Sequence, residues 1–71
     1  MQRHITTSIV VNGKEAETEA RTLAELVAGQ GFAEGEVATA LNGEFVPRQA
    51  RAATQLAQGD RVEIVAPRQG G

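Results

Sequence analysis

The stretch Thr22-Leu23-Ala24-Glu25-Leu26-Val27-Ala28-Gly29 decides the fold. Thr22 followed three residues later by Glu25 is a capping-box pattern: the Thr22 hydroxyl accepts from the Glu25 amide, and the Glu25 carboxylate reaches back to the Thr22 amide. Leu23, Leu26 and Val27 then stand at i, i+3 and i+4 and make one apolar stripe, with Glu25 and Ala28 on other faces. Gly29 or Gly31 supplies the left-handed stop. A helix this short is not stable alone, so its stripe must be held against a sheet.

The strands for that sheet lie on both sides of the helix. Upstream, Ile5, Thr7, Ile9 and Val11 alternate with His4, Thr6, Ser8 and Val10, the pattern of a half-buried strand. Asn12-Gly13 follows, a dipeptide suited to a two-residue hairpin turn with φ > 0 at both positions, so a second strand runs back through Glu15 to Thr18. It is polar enough to sit at a sheet edge with its charges outward. Downstream, after a polar connection over 33–36, Val37, Thr39 and Leu41 alternate. A second pair, Asn42-Gly43, turns the chain into Glu44-Phe45-Val46.

Pro47 ends that strand, and Arg48 to Gln55 reads as an irregular or short helical crossing with Ala50, Ala53 and Leu56 turned inward. Gly59-Asp60 is a turn, Val62 and Ile64 belong to a last strand, and Pro67 closes it. Two hairpins separated by a helix and followed by a final strand make an α+β domain of the β-grasp, ubiquitin-like type, a mixed sheet of about five strands with one main helix across one face. The first and last strands are then central and parallel. The expected core is the helix stripe against Ile5, Ile9, Val11, Leu41, Val62 and Ile64. The domain spans 1–65 and a tail spans 66–71.

Composition removes most function classes. With 71 residues there is one small domain. Cysteine is absent and His4 is the single histidine, which excludes disulfides, a cysteine nucleophile and a Cys/His zinc site, and no metal site is expected. Phe32 and Phe45 are the only aromatics, and a net charge of −2 with seven scattered basic residues offers neither stacking platform nor cationic groove, so no nucleic acid partner is expected. No apolar run approaches a membrane span and no signal-peptide core follows Met1, so the chain is expected to be soluble, cytoplasmic and monomeric when free. No acid–base pair or nucleophile with its base is suggested by the spacing, so it is not expected to be an enzyme by itself.

What remains is the tail, Ala66-Pro67-Arg68-Gln69-Gly70-Gly71. Extended, six residues reach roughly 20 Å, enough to enter another protein's active site while the globule stays outside. Gly70-Gly71 passes where any Cβ would block, with Arg68 and Gln69 leading it in. The Gly71 carboxylate is ionised at neutral pH and is a poor electrophile, so acyl chemistry there requires activation. Transfer to the α-phosphate of ATP would make AMP the leaving group and open the carbonyl to a sulfur or nitrogen nucleophile. The nucleotide pocket, its Mg and the donor thiol would come from partners, since this chain has no phosphate-cradling loop and binds no cofactor itself.

The sequence resembles the ThiS-type sulfur carriers of thiamine biosynthesis over nearly its whole length. The resemblance rests on Val11-Asn12-Gly13-Lys14, on Thr22-Leu23-Ala24-Glu25-Leu26, on Ala40-Leu41-Asn42-Gly43-Glu44-Phe45-Val46-Pro47-Arg48, on Gly59-Asp60-Arg61-Val62-Glu63-Ile64-Val65 and on Gly70-Gly71. It implies a carrier adenylated at Gly71 by an E1-like adenylyltransferase using ATP and Mg. A cysteine desulfurase or other sulfur donor then supplies the sulfur of a thiocarboxylate, which thiazole synthase uses to build the thiazole ring. The chain departs from the family pattern where relatives often carry an aromatic residue after the Pro-Arg pair, having Gln49-Ala50-Arg51 instead, and where Ala66-Pro67-Arg68 replaces more apolar residues. Both differences bear on the partner surface the carrier fits.

Three other readings share these features. The terminal Gly-Gly also occurs in the small subunit of molybdopterin synthase, in other ubiquitin-like carriers, and in protein modifiers that form isopeptide bonds; the third reading is a non-catalytic β-grasp interaction module whose tail is idle. Phe45 and Val46, facing away from the helix, would form an apolar docking patch, whereas Phe45 turned inward would be core. Arg48 and Arg68 would steer the chain onto an acidic partner; as isolated surface arginines they would be merely solvated. His4 reads as a solvated residue and Lys14 as a turn residue.

Overall fold

In the computed structural model, residues 5–66 are described. The first hairpin pairs β1 (Thr7–Val11) with β2 (Lys14–Thr18), antiparallel in the register Thr7↔Thr18 to Val11↔Lys14. The second pairs β3 (Ala38–Leu41) with β4 (Glu44–Val46). Both turns are built as the Asn-Gly dipeptides require, with φ 51° and 84° at Asn12 and Gly13 and 52° and 87° at Asn42 and Gly43. The last strand, β5 (Arg61–Val65), lies between the hairpins, parallel to β1 and antiparallel to β3. The sheet order is β2-β1-β5-β3-β4, which is the mixed sheet of a β-grasp fold. β2 is an edge strand with four of its five residues exposed, three of them charged.

Helix α1 (Leu23–Gly29) begins as the capping pattern requires, the Glu25 amide donating to the Thr22 hydroxyl at 3.2 Å. The reciprocal bond differs from expectation. The Glu25 carboxylate accepts from the Arg21 amide at 2.7 Å rather than from Thr22. Thr22 itself lies in an isolated antiparallel bridge with Gln55, flanked by Leu23 N to Thr54 O at 2.9 Å and Leu56 N to Arg21 O at 3.0 Å, so its neighbourhood is already claimed by main chain. The stop is Gly31, not Gly29: φ is 91° at Gly31, its amide donates to Ala28 O at 3.0 Å, and the Phe32 amide donates to Val27 O at 3.4 Å. That pair of bonds is a Schellman cap.

The helix buries Leu23, Leu26 and Val27 against Ile9, Val37, Val46, Val62 and Ile64, with Val11, Phe32, Leu41, Ala50 and Leu56 packed around them. Two expected positions fall elsewhere. Ile5 is 74% exposed because pairing with β2 ends at Thr7↔Thr18, leaving no sheet beneath it. Ala53 is exposed. The crossing is a 3₁₀ helix (Arg48–Ala53), whose tighter winding of three residues per turn brings Arg51 inward and carries Ala53 out.

Arg51, only 3% exposed, is the largest departure from the sequence reading. Its guanidinium donates to the Thr39 hydroxyl at 3.0 Å, to the Glu34 carbonyl at 2.8 Å and to the Val37 carbonyl at 2.7 Å. The Thr39 hydroxyl in turn donates to the Val46 carbonyl at 2.8 Å. These bonds satisfy main-chain acceptors of the 34–37 turn and the β4 end that burial would otherwise leave bare.

Candidate functional site

The site is built at one end and on one face of the sheet. β5 alternates exactly two ways: Val62 and Ile64 are buried under the helix, and Arg61, Glu63 and Val65 face out. The same period on β4 turns Val46 into the core at 8% exposure and Phe45 outward at 69%. The expected Phe45–Val46 docking patch therefore splits, because adjacent residues of a strand cannot share a face. The Val46 side chain belongs to the core.

Phe45 is not isolated on its face. Its register partner on β3 is Ala40, which also pairs with Glu63 of β5, and Ala38, two residues earlier, pairs with Val65. Val65 is 56% exposed. Phe45, half-buried Ala40 and Ala38, and Val65 thus form an outward, mainly apolar strip across three strands, with exposed Glu63 on the same face opposite Ala40, and it leads to Ala66, the last described residue. Among the described residues no element covers this side, since the helix lies on the other.

Arg48 stands just past β4, at the margin of this strip. Its side chain is largely exposed and its Nε lies 4.0 Å from a Glu34 carboxylate oxygen, an ion pair between two solvated groups. It lies across Gly35, where a Cβ would come within 3.0 Å of an Arg48 terminal nitrogen. Phe45, Arg48 and Gln49 border a shallow depression whose floor includes Arg51 and Val37. Arg48 is thereby placed beside Phe45, as the two sequence positions suggested, but it is loosely engaged with an acidic neighbour of its own chain.

The remaining sequence-derived site residues, Arg68, Gln69, Gly70 and Gly71, lie outside the described residues, as does His4. Among the described residues no group of three or more Asp, Glu or His is arranged to hold a metal ion, and no helix is long and apolar enough to cross a membrane. Sequence reasoning missed the parts played by Arg51 and by the Asn12 side chain. Arg51 could have been suspected only from its setting among Ala50, Ala52 and Ala53, where a charged residue interrupts small ones.

The comparisons with known proteins agree with this fold. The model of the ThiS family matches residues 4–71. A crystal structure of the thiamine biosynthesis protein ThiS from Geobacter metallireducens is similar at 33% identity and a TM-score of 0.74, over 92% of this chain and 100% of that one. An NMR solution structure of a thiamine biosynthesis protein from the same organism gives 33% identity and a TM-score of 0.76, over 92% of this chain and 88% of the other. No curated protein matches the sequence significantly.

Proposed function

Because this chain belongs to the ThiS family, we propose that it is the sulfur carrier of thiazole formation in thiamine biosynthesis, acting through the carboxylate of Gly71. The observation that carries the reading is that the family match runs through Gly70-Gly71 rather than stopping at the globular body. In this reading a Gly71 carboxylate oxygen attacks the α-phosphorus of ATP on an E1-like adenylyltransferase and pyrophosphate leaves. Hydrosulfide, released by a thiol reductant from the persulfide of a cysteine desulfurase or supplied by another donor, then attacks the Gly71 carbonyl carbon. AMP departs with the electron pair of the broken C–O bond, and a thiocarboxylate remains for thiazole synthase. ATP and Mg are held by the activating enzyme.

This chain's own share is presentation. The globule docks by a face, and the tail delivers the one acyl group. The strip of Phe45, Ala40, Ala38 and Val65 is suited to that docking, because it is mainly apolar, uncovered among the described residues and continuous with the strand from which the tail departs. Arg48 at its margin would favour an acidic rim on the partner, where it steers association more than it strengthens it. Cytoplasmic location and a monomeric free state accord with this role.

Intact-protein mass spectrometry tests it. After incubation with ATP, Mg, a sulfur donor and the activating enzyme, the mass should rise by the difference between sulfur and oxygen, and a chain lacking Gly71 should not change. An unchanged mass in the full chain, or the same change without Gly71, rules the carrier out. Conversion to thiocarboxylate with transfer to a pterin rather than a thiazole would move the chain to the molybdopterin pathway. Attachment to lysines of other proteins would make it a modifier.

A further inference from the structure

The contact between β1 and β5 ends with a substitution of side chain for main chain. The Val10 amide donates to the Asp60 carbonyl and the Asn12 amide to the Val62 carbonyl, each at 2.9 Å. In a parallel ladder the next rung would join Ile64 to the main chain beyond. At Asn12, however, φ is 51° and the chain turns away into the hairpin. The Asn12 side chain fills the rung: its Oδ1 accepts from the Ile64 amide at 2.9 Å and its Nδ2 donates to the Ile64 carbonyl at 3.0 Å. A neutral amide is the side chain that can do both, since it carries an acceptor and a donor side by side.

The geometry points to Asn12 as a positioning residue for the acyl-transfer reaction, one that clamps the end of β5 so that the chain leaves the globule in a fixed direction. This rests on the carrier reading. Ile64 and Val65 are paired on their other side with Thr39 and Ala38; without Asn12 the Ile64 main chain loses both of its bonds on the β1 side, and strand ends with fewer bonds open locally at lower cost. A tail that must reach a distant active site loses less entropy on binding when its point of departure is already ordered.

The fold supplies its own control. Asn42, at the same position of the second hairpin, also makes two side-chain bonds, at the opposite end of β5, accepting from the Arg61 amide at 2.9 Å and donating to the Asp60 carboxylate at 3.0 Å. Both residues have positive φ, which glycine tolerates without strain. Asn12→Gly and Asn42→Gly therefore remove two hydrogen bonds each, both from Ile64 near the tail in the first case, and in the second one from the Arg61 amide at the start of β5 and one from the Asp60 carboxylate just before it. A purely structural role predicts equal effects.

Two measurements on the full-length chain decide. Amide hydrogen exchange in the free protein should be about tenfold faster at Ile64 and Val65 in Asn12→Gly and unchanged there in Asn42→Gly. With the activating enzyme, Asn12→Gly should lower kcat for adenylation by about tenfold with KM for the carrier unchanged, since the docking strip is intact, and Asn42→Gly should leave both at the wild-type values. Should Asn12→Gly not fold, Asn12→Asp, which keeps the acceptor and loses the donor, carries the same comparison. Exchange at Ile64 equal to wild type, or equal losses of kcat in the two variants, overturns the assignment. If the wild-type chain is not adenylated at all while the exchange difference is present, the carrier reading falls and the clamp stands.

Discussion

Arg51 does at the residue scale what no hydrophobic side chain in its place could do. It is buried with no carboxylate partner among the described residues, and its charge is met by one hydroxyl and two main-chain carbonyls. Hydrogen bonds from a charged donor are stronger than neutral ones, and truncating it would leave two buried acceptors, the Thr39 hydroxyl and the Val37 carbonyl, and one part-buried acceptor, the Glu34 carbonyl, without their donor. Arg51→Ala should therefore cost roughly 2 to 4 kcal/mol in urea unfolding. Arg51→Lys should recover little of it, because an ammonium on a flexible stem cannot reproduce a planar fork aimed at three sites. A lysine variant as stable as wild type would show that the charge matters and the fork does not. The position was not legible in the sequence: the stripe Ala50, Ala53, Leu56 presumes a helix of one period, and the chain adopts the tighter 3₁₀ winding that rotates Arg51 into the gap.

Among the elements, α1 shows how little local propensity has to supply when packing is favourable. Its seven residues are held by an N-terminal Thr cap, a Schellman stop at Gly31 and three fully buried side chains. Each of these features stands in the sequence because each is a local pattern: a hydroxyl three residues before an acid, a glycine past the stripe, apolar residues at helical spacing. Only the bonding partner of the Glu25 carboxylate escaped, since it depends on a bridge to Gln55 more than thirty residues away along the chain. Leu26 is 4% exposed at the centre of the core, so Leu26→Ala should destabilise by about 2 to 5 kcal/mol, with the upper end expected if the cavity does not collapse. Thermal or urea unfolding measures it. A loss well under 1 kcal/mol would mean that the helix is held mainly by its caps and not by its stripe.

For the whole molecule, the division of labour between the two faces of the sheet is what matters. One face is closed by α1, and the other carries Phe45, Ala40, Ala38 and Val65 in the open. Phe45 makes no contribution to the core cluster, so Phe45→Ala should leave unfolding free energy within about 0.5 kcal/mol of wild type. If the strip docks the activating enzyme, the same change should weaken that binding by about 2 kcal/mol or more, roughly thirtyfold, as truncation of an aromatic anchor does. Calorimetric titration of the two proteins decides, and undiminished affinity would place the docking surface elsewhere. The alternation of strands, the two Asn-Gly turns and the helix were determined by the sequence itself, since each follows from residues adjacent in the chain. Which of Phe45 and Val46 faces outward, the burial of Arg51, the exposure of Ile5 and the clamp of Asn12 on Ile64 were decided only by tertiary structure. They depend on register and winding, which set what lies across from a residue, and that is information a linear pattern does not contain.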